Sequence, residues 1–350
     1  MIAWLGFVSE SLMNRIRSLA LPFGAVPIGA LIVVGSLLAT SVARADVLHG
    51  LGVMGDSGSD GSSVNKWPGM LQADRGLNFG GAGLPFNHAV SGATSSTVLS
   101  GGQNTALATQ VSAGSVTTGI ILIGNNDYGG VATSLANGTL NGTALTNFQT
   151  SIVTNIETAT GSVLFAGAQG FLLGSVDDFT VEPVAAAIAA DPTEKARVQN
   201  SISAVNAQLQ AYAAGEHIPF VNFYALENTP GFSGSITVGG VAISLVNTGS
   251  DPHDFFLDGL HPGIVGNALI ANMWMEGLNV AYSTNLSLFS DQQILNLAGL
   301  GGSYTGETFS TAINMANYID FVPAPEPASW ALLAAGFATL LMGTVVRRRG

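Results

Sequence analysis

Four short stretches carry residues able to do acyl-transfer chemistry, and they follow one another as Ser, Gly, Asn and His. The first is Val53-Met-Gly-Asp-Ser-Gly-Ser-Asp60, with Ser57 at its centre. A serine hydroxyl is a weak nucleophile until a neighbouring base takes its proton. A glycine-rich turn at a strand end exposes such a hydroxyl and lets the serine's own N–H point at a developing oxyanion. The same residues also suit a plain tight turn, so this stretch decides nothing alone. The second, Asn87-His-Ala-Val-Ser-Gly-Ala-Thr94, has Gly92 where a backbone N–H could approach a substrate oxygen. The third is Gly124-Asn-Asn-Asp127, whose asparagines can donate side-chain N–H groups or cap a turn. The fourth is Asp258-Gly-Leu-His-Pro262. His261 can act as general base and then general acid, and Asp258 could hold its tautomer and stabilise its cation.

Two other readings of the first stretch fail. Gly-Asp-Ser-Gly also surrounds the nucleophile of trypsin-like proteases, but there the histidine and aspartate come first, and here only His49 stands between the expected start of the mature chain and Ser57. A calcium loop of the EF-hand kind beginning at Asp56 would need glutamate at its twelfth position, which is Trp67. The other histidines are His49, His88, His217 and His253. His253, in Asp251-Pro-His-Asp254, could mimic the pair or bind a cation, but no other histidine has an aspartate three positions before it at an expected helix entrance.

Short apolar runs alternate with helical patterns along the chain. Strands are expected at Val47 to Met54, ending at Gly55, and at Gly119 to Ile123, Ser162 to Ala168 and Pro219 to Phe223. Helices are expected at about Leu145 to Thr158, at Thr193 to Ala214 behind an Asp191-Pro192 start, and from near Pro262 through Met275. Such alternation implies a parallel sheet covered by helices on both faces. Ligands in these sheets sit at the carboxyl ends of the strands, where Ser57 and Asn125-Asn126 fall. Ser235 to Ser244 breaks the pattern as a hairpin turning on Gly239-Gly240, read as an insertion at the rim of that face. Asn137-Gly-Thr and Asn141-Gly-Thr make a loop and no repeat architecture.

The chain has 350 residues and no cysteine, which excludes disulfides and thiolate metal sites. Residues 1–45 read as an export signal: Arg15 and Arg17, an apolar run, then Ala43-Arg-Ala45. An uncleaved anchor is the alternative, but Pro22, Pro27 and the small residues around Arg44 favour cleavage before Asp46. Residues 46–322 are then one domain large enough for a substantial core. Between Asp46 and Ala324 lie only four basic side chains against twenty acidic ones, a formal charge of −16. That surface repels nucleic acid and anionic lipid. The last segment, 323–350, runs Pro325-Glu-Pro327, an apolar stretch Trp330 to Val346, then Arg347-Arg-Arg349. The stretch is just long enough to span a bilayer, and the arginines would hold its end in the cytoplasm.

This terminal order resembles the PEP-CTERM sorting signal of Gram-negative bacteria, which implies transient membrane anchoring and cutting by an exosortase-like enzyme after a signal peptidase has acted. The four stretches together resemble the SGNH hydrolase superfamily in its GDSL branch. Every element of that signature is present between residues 55 and 262, with Gly58 in place of the usual leucine. The resemblance implies a three-layer α/β/α sandwich, flavodoxin-like, with a mostly parallel five-stranded sheet. It implies Ser57 as nucleophile, His261 as base, Asp258 as its orienter, and the Ser57 N–H, Gly92 N–H and Asn126 side chain as oxyanion donors. The expected protein is an exported serine esterase acting on lipid or short-chain acyl esters or on O-acyl groups of polysaccharide, with no metal or cofactor. The alternative is a surface or matrix protein that keeps the fold without catalysis.

Overall fold

The structure, a computed structural model, describes residues 47–302, 309 and 313–324. The expected export segment and the apolar and arginine segments after Pro325 lie outside these residues. Among the described residues no helix is long and apolar enough to cross a membrane. They fall within one compact unit, Arg44–Ala324.

A five-stranded sheet forms the centre, in the order β1 (Leu51–Gly55), β2 (Thr118–Leu122), β3 (Gly170–Gly174), β4 (Phe220–Val221) and β8 (Ile319–Asp320). The first four strands are parallel and β8 closes the far edge antiparallel to β4. Residues of β1–β3 are all buried, because helices cover both faces. Side chains alternate between the faces. Leu51, Val53, Ile120, Leu122 and Leu172 face one hydrophobic layer, under helices α1 (Trp67–Arg75), α8 (Ile264–Tyr282) and α9 (Asp291–Leu297). Met54, Ile121, Phe171 and Leu173 face the other, under α2 (Ser95–Ser100), α3 (Gln103–Ser112), α4 (Asn125–Ala136), α5 (Gly142–Phe165) and α6 (Pro192–Glu216). This is the expected three-layer sandwich.

The outer side of β1 is covered by an extended segment around Asn87. Val53 N–H donates to Phe86 O (3.0 Å), and the N–H groups of His88 and Val90 donate to Val53 O (2.9 Å) and Gly55 O (3.1 Å). The chain therefore leaves β1, passes along one of its sides, and returns on the other as β2. That reversal is a topological switch point, and it opens a crevice at the carboxyl ends of β1 and β2.

Several boundaries differ from expectation. The stretch Ser162 to Ala168 is not a strand: its first residues are the last turn of α5, and Phe165 is exposed there. The β3 strand is the later run Gly170-Phe-Leu-Leu-Gly174. An apolar run of this length has no period that separates a buried helix end from a buried strand. The first strand starts at Leu51 and not at Val47. The β4 strand is two residues long because Asn222 caps a short helix, α7 (Phe223–Glu227), through Ala225 N–H at 3.0 Å. Helix α6 starts as expected, with Asp191 accepting from the N–H groups of Thr193 and Glu194 (2.8 and 3.2 Å) and Pro192 in the first turn.

The expected hairpin exists. Strands β5 (Ser235–Val238) and β6 (Val241–Thr248) turn on Gly239 and Gly240, both at positive φ (55° and 83°), as a two-residue hairpin turn requires. A third strand, β7 (Asp254–Phe256), pairs with β6 and leads straight into Asp258. The small sheet so formed holds the start of the histidine loop.

Candidate active site

Ser57 sits two residues past β1. Asp56 folds the turn around it: its carbonyl accepts from Ser59 and Asp60 N–H (3.0 and 2.8 Å), and its carboxylate from Gly58 N–H (2.9 Å). Lys66 Nζ donates to the Ser57 carbonyl at 2.9 Å. Behind the turn, the fully buried Ser59 accepts from Trp67 Nε1 at 3.2 Å. Packing behind the nucleophile turn thus falls to Ser59, while Gly58 lines the adjoining cavity.

The histidine loop is equally confined. Strand β7 and the segment after the loop are bridged at Phe256 and Pro262, and Leu257 N–H donates to His261 O at 2.8 Å. Asp258 Oδ1 accepts from the N–H groups of Leu260 (3.1 Å) and His261 (2.9 Å). The other oxygen, Oδ2, lies 2.7 Å from His261 Nδ1, and His261 Nε2 lies 2.8 Å from Ser57 Oγ. With Nδ1–H donating to the carboxylate, Nε2 is left as an acceptor for the serine proton. Asn267, from α8, joins the two loops: its side chain accepts from Trp67 N–H (3.2 Å) and donates to Pro262 O (2.8 Å).

Asn126 lines the cavity beside Ser57, and the Gly92 loop lies next to it. Gly92 has φ 78°, a conformation that favours glycine. Among the described residues neither its N–H nor that of Ser57 meets an acceptor. Asn126 Nδ2 donates one hydrogen to Ala93 O at 2.9 Å, which fixes its amide beside the Gly92 loop and leaves its second hydrogen free. The four expected stretches therefore converge. His253 does not join them: it pairs with Asp251 at 2.9 Å on the exposed side of the β6–β7 connection. His88 bonds Gln110, and His217 lies against Val322 O.

Residues 53–269 match the GDSL-like Lipase/Acylhydrolase family. The chain belongs to that family. It is an ester-bond hydrolase. No curated protein sequence matches the chain. Similar solved structures include the acetylxylan esterase Axe2 from Geobacillus stearothermophilus, with 15% identity over 67% of this chain and 95% of that one and a TM-score of 0.40. Phospholipase A1 from Streptomyces albidoflavus NA297 gives 15% identity, 66% and 98% coverage and a TM-score of 0.42. An extracellular lipase from Streptomyces rimosus gives 19%, 66% and 99%, and 0.39.

Several residues of this GDSL-family hydrolase support the site yet were not singled out by the sequence. Gln103, on α3, is buried and pairs with both backbone groups of Gly55, accepting from its N–H (2.9 Å) and donating to its C=O (3.0 Å). It continues the β-ladder for one residue and fixes where β1 ends. Asn87 donates to the carbonyls of Ser59 (2.7 Å) and Gly61 (3.2 Å), and Asp60 accepts from the Ser91 N–H (3.0 Å) and hydroxyl (2.7 Å). These bonds lock the Ser57 and Gly92 loops together. Asp127 accepts from the Ser95 N–H and hydroxyl (2.8 and 2.9 Å), holding α2 behind the Gly92 loop. Lys66 carries no sequence signal of its role, because its partner is a backbone carbonyl nine residues away.

The site is strongly acidic on one side. Burial raises Asp56 to about 6. Burial, with the charges of Asp56 and Asp178, raises Asp177 to about 8. Glu182 and Glu227 are likewise pushed well up, by burial first and by neighbouring carboxylates second. Asp258 goes the other way. Desolvation alone would raise it, but the bonds from the His261 N–H and ring and from Leu260 N–H hold it at about 2.

These shifts set a stability profile. A carboxyl whose pKa is higher folded than unfolded binds a proton on folding, so the stability it contributes is present below its unfolded value and lost as pH rises through the folded one. For Asp56 and Asp177 that window runs from 3.8 to about 6 and about 8. Asp258 acts in the opposite sense and only below its ordinary value of 3.8. The melting temperature should therefore fall between pH 5 and pH 9, by roughly 5–10 °C. Asp177→Asn should flatten that slope. A melting temperature constant over this range would refute the profile.

Proposed function

We propose that the protein is an exported serine esterase that hydrolyses carboxylic esters through an acyl-enzyme on Ser57. The reading rests on one observation: Ser57 Oγ, the His261 ring and the Asp258 carboxylate stand in hydrogen-bonded series, at 2.8 and 2.7 Å, although 204 residues separate the serine from the histidine. Nucleophile, base and orienter in such a series can carry out both halves of ester hydrolysis. Ser57 Oγ attacks the ester carbonyl while His261 Nε2 takes its proton. The imidazolium then protonates the leaving alkoxide, and the alcohol departs. Water attacks the acyl-enzyme with its proton going to Nε2, and Ser57 regains a proton as the acid is released. Asp258 stays ionised and stabilises the imidazolium. The unpartnered N–H groups of Ser57 and Gly92 and the free hydrogen of Asn126 Nδ2 are the donors for the tetrahedral oxyanion.

The acyl and alcohol groups proposed are short-chain or lipid acyl chains or O-acyl groups on polysaccharide. Export rests on the sequence of residues 1–45, and temporary membrane attachment on residues 323–350. The direct test is labelling with a fluorophosphonate, which should modify Ser57 alone and be blocked by prior turnover-dependent acylation. Absence of labelling in active-site-intact protein would favour the non-catalytic matrix reading. Within the same site, Asn126→Ala should lower kcat by ~10²-fold with little change in KM, because the amide acts on charge that develops only in the transition state. Steady-state kinetics on a short aryl ester would show it, and an unchanged kcat would remove Asn126 from the oxyanion site.

A further inference from the structure

The cavity beside Ser57 is also lined by carboxylates. Asp177, Glu182, Asn125 and Glu227 line it, together with apolar side chains that include Phe223, Phe255 and Met273. Three acceptor atoms there have no donor: Asn125 Oδ1, Asp177 Oδ1 and Glu182 Oε2, all buried. Glu182 is only 5% exposed. The one amide donor at hand, Asn125 Nδ2, is engaged with Glu182 Oε1 (3.0 Å) and Asp177 Oδ2 (3.4 Å). The ion pairs among the described residues are His253–Asp251 and His261–Asp258, so no lysine or arginine neutralises these carboxylates.

Orphaned acceptors in a buried place are costly, and like charges packed together more so. By contrast Asp178, on the same segment, is fully served: it accepts from the Thr180 N–H and hydroxyl and from the side chains of Gln199 and Asn228. It is a structural carboxylate, whereas Asp177 and Glu182 hold acceptors toward the cavity. What completes these carboxyls in their ionised form must bring hydrogen-bond donors and positive charge and must tolerate aromatic neighbours. A neutral polyol brings as many acceptors as donors and leaves the charge. Among the described residues no group of three or more acidic or histidine side chains is spaced to hold a metal ion. A primary ammonium satisfies all three demands, since its N–H groups serve the acceptors and aromatic faces attract cations.

We propose that the carboxylate-lined part of this cavity binds a primary ammonium group carried by the ester substrate, held by Asp177, Glu182 and Asn125. This deepens the esterase reading and rests on it. The titratable groups lining the cavity are Asp177 and Glu182, Glu227 from α7, Asp56 from the β1 end and His261, while Asp178 acts on Asp177 and Lys66 on Asp56 from outside the lining.

The test compares esters that differ only by NH₃⁺ in place of CH₃. On the alcohol side the pair is 4-aminobutyl acetate and pentyl acetate. On the acyl side it is methyl 6-aminohexanoate and methyl heptanoate. In one of the two series the cationic member should have a kcat/KM at least ~10-fold higher at pH 8. The series that shows it tells whether the ammonium enters on the alcohol or the acyl side. The ratio within a pair cancels the pH dependence common to both esters, and it should widen from pH 6 to pH 9 as Asp177 ionises. In Glu182→Gln and in Asp177→Asn it should shrink toward unity. Calorimetry on Ser57→Ala gives an independent readout: pentylammonium should bind and pentan-1-ol should not. Equal rates within both pairs, with no binding of pentylammonium, would overturn the proposal and leave the esterase reading standing. If no ester is hydrolysed, the esterase reading fails and calorimetry alone decides for or against the cation site.

Discussion

Ser57→Ala and His261→Ala should each lower kcat for a short aryl acetate by about 10⁴–10⁶-fold, and the double variant should be no worse than either alone. The expectation follows from the 2.8 Å contact between Ser57 Oγ and His261 Nε2. Without the hydroxyl the imidazole has nothing to deprotonate but water. Without the imidazole the hydroxyl keeps its proton at neutral pH. Each group works only through the other, so their losses cannot multiply. The residual rate in all three variants would come from the oxyanion donors, which neither substitution touches. Both side chains are partly exposed, and neither carries core packing, so the melting temperature should move little. Single-turnover kinetics with the three variants tests this. Multiplicative losses, or a Ser57→Ala protein keeping more than about a hundredth of the activity, would mean that the two residues do not act as one unit.

The residues proposed to touch the reacting atoms were the legible ones. Each lies within a few positions of a strand end or helix start, in a stretch whose composition departs from its surroundings, and the order Ser57, Gly92, Asn126, His261 survives any error in strand boundaries. Thus the misplaced third strand, read at Ser162 to Ala168 and found at Gly170–Gly174, left the site intact. What the sequence did not disclose depends on contacts between distant segments. Gln103 is an ordinary helix residue until its side chain meets Gly55. Asn267 is one of three asparagines in a mostly apolar helix until it is seen to bond both Trp67 N–H and Pro262 O. The carboxylates of Asp177, Glu182 and Glu227 are spread over 51 positions and come together only because β3 and β4 are neighbours. No local period or spacing encodes such a meeting, since it is made by the order of strands in the sheet.

Asp258→Asn should lower kcat by about 10³–10⁴-fold near neutral pH while leaving the loop folded. The carboxylate does two separable things. Through Oδ1 it accepts from the N–H groups of Leu260 and His261, and through Oδ2 it receives the His261 Nδ1 proton at 2.7 Å. An asparagine can keep the first function with its carbonyl oxygen. In place of Oδ2 it presents N–H donors, which a neutral imidazole can meet only by offering Nδ1 as acceptor and carrying its proton on Nε2. That tautomer faces Ser57 with a donor and cannot take the serine proton. Asp258→Ala would lose both functions, so its rate loss should come with a lower melting temperature, whereas Asp258→Asn should melt near the wild type. The carboxylate also stays ionised down to about 2, so loss of activity on acidification toward pH 5 cannot be its titration. Comparing kcat, melting temperature and the ring-nitrogen NMR shifts of His261 in the two variants separates the roles. If Asp258→Asn keeps both its rate and its Nδ1–H tautomer, the orienting role passes to another group.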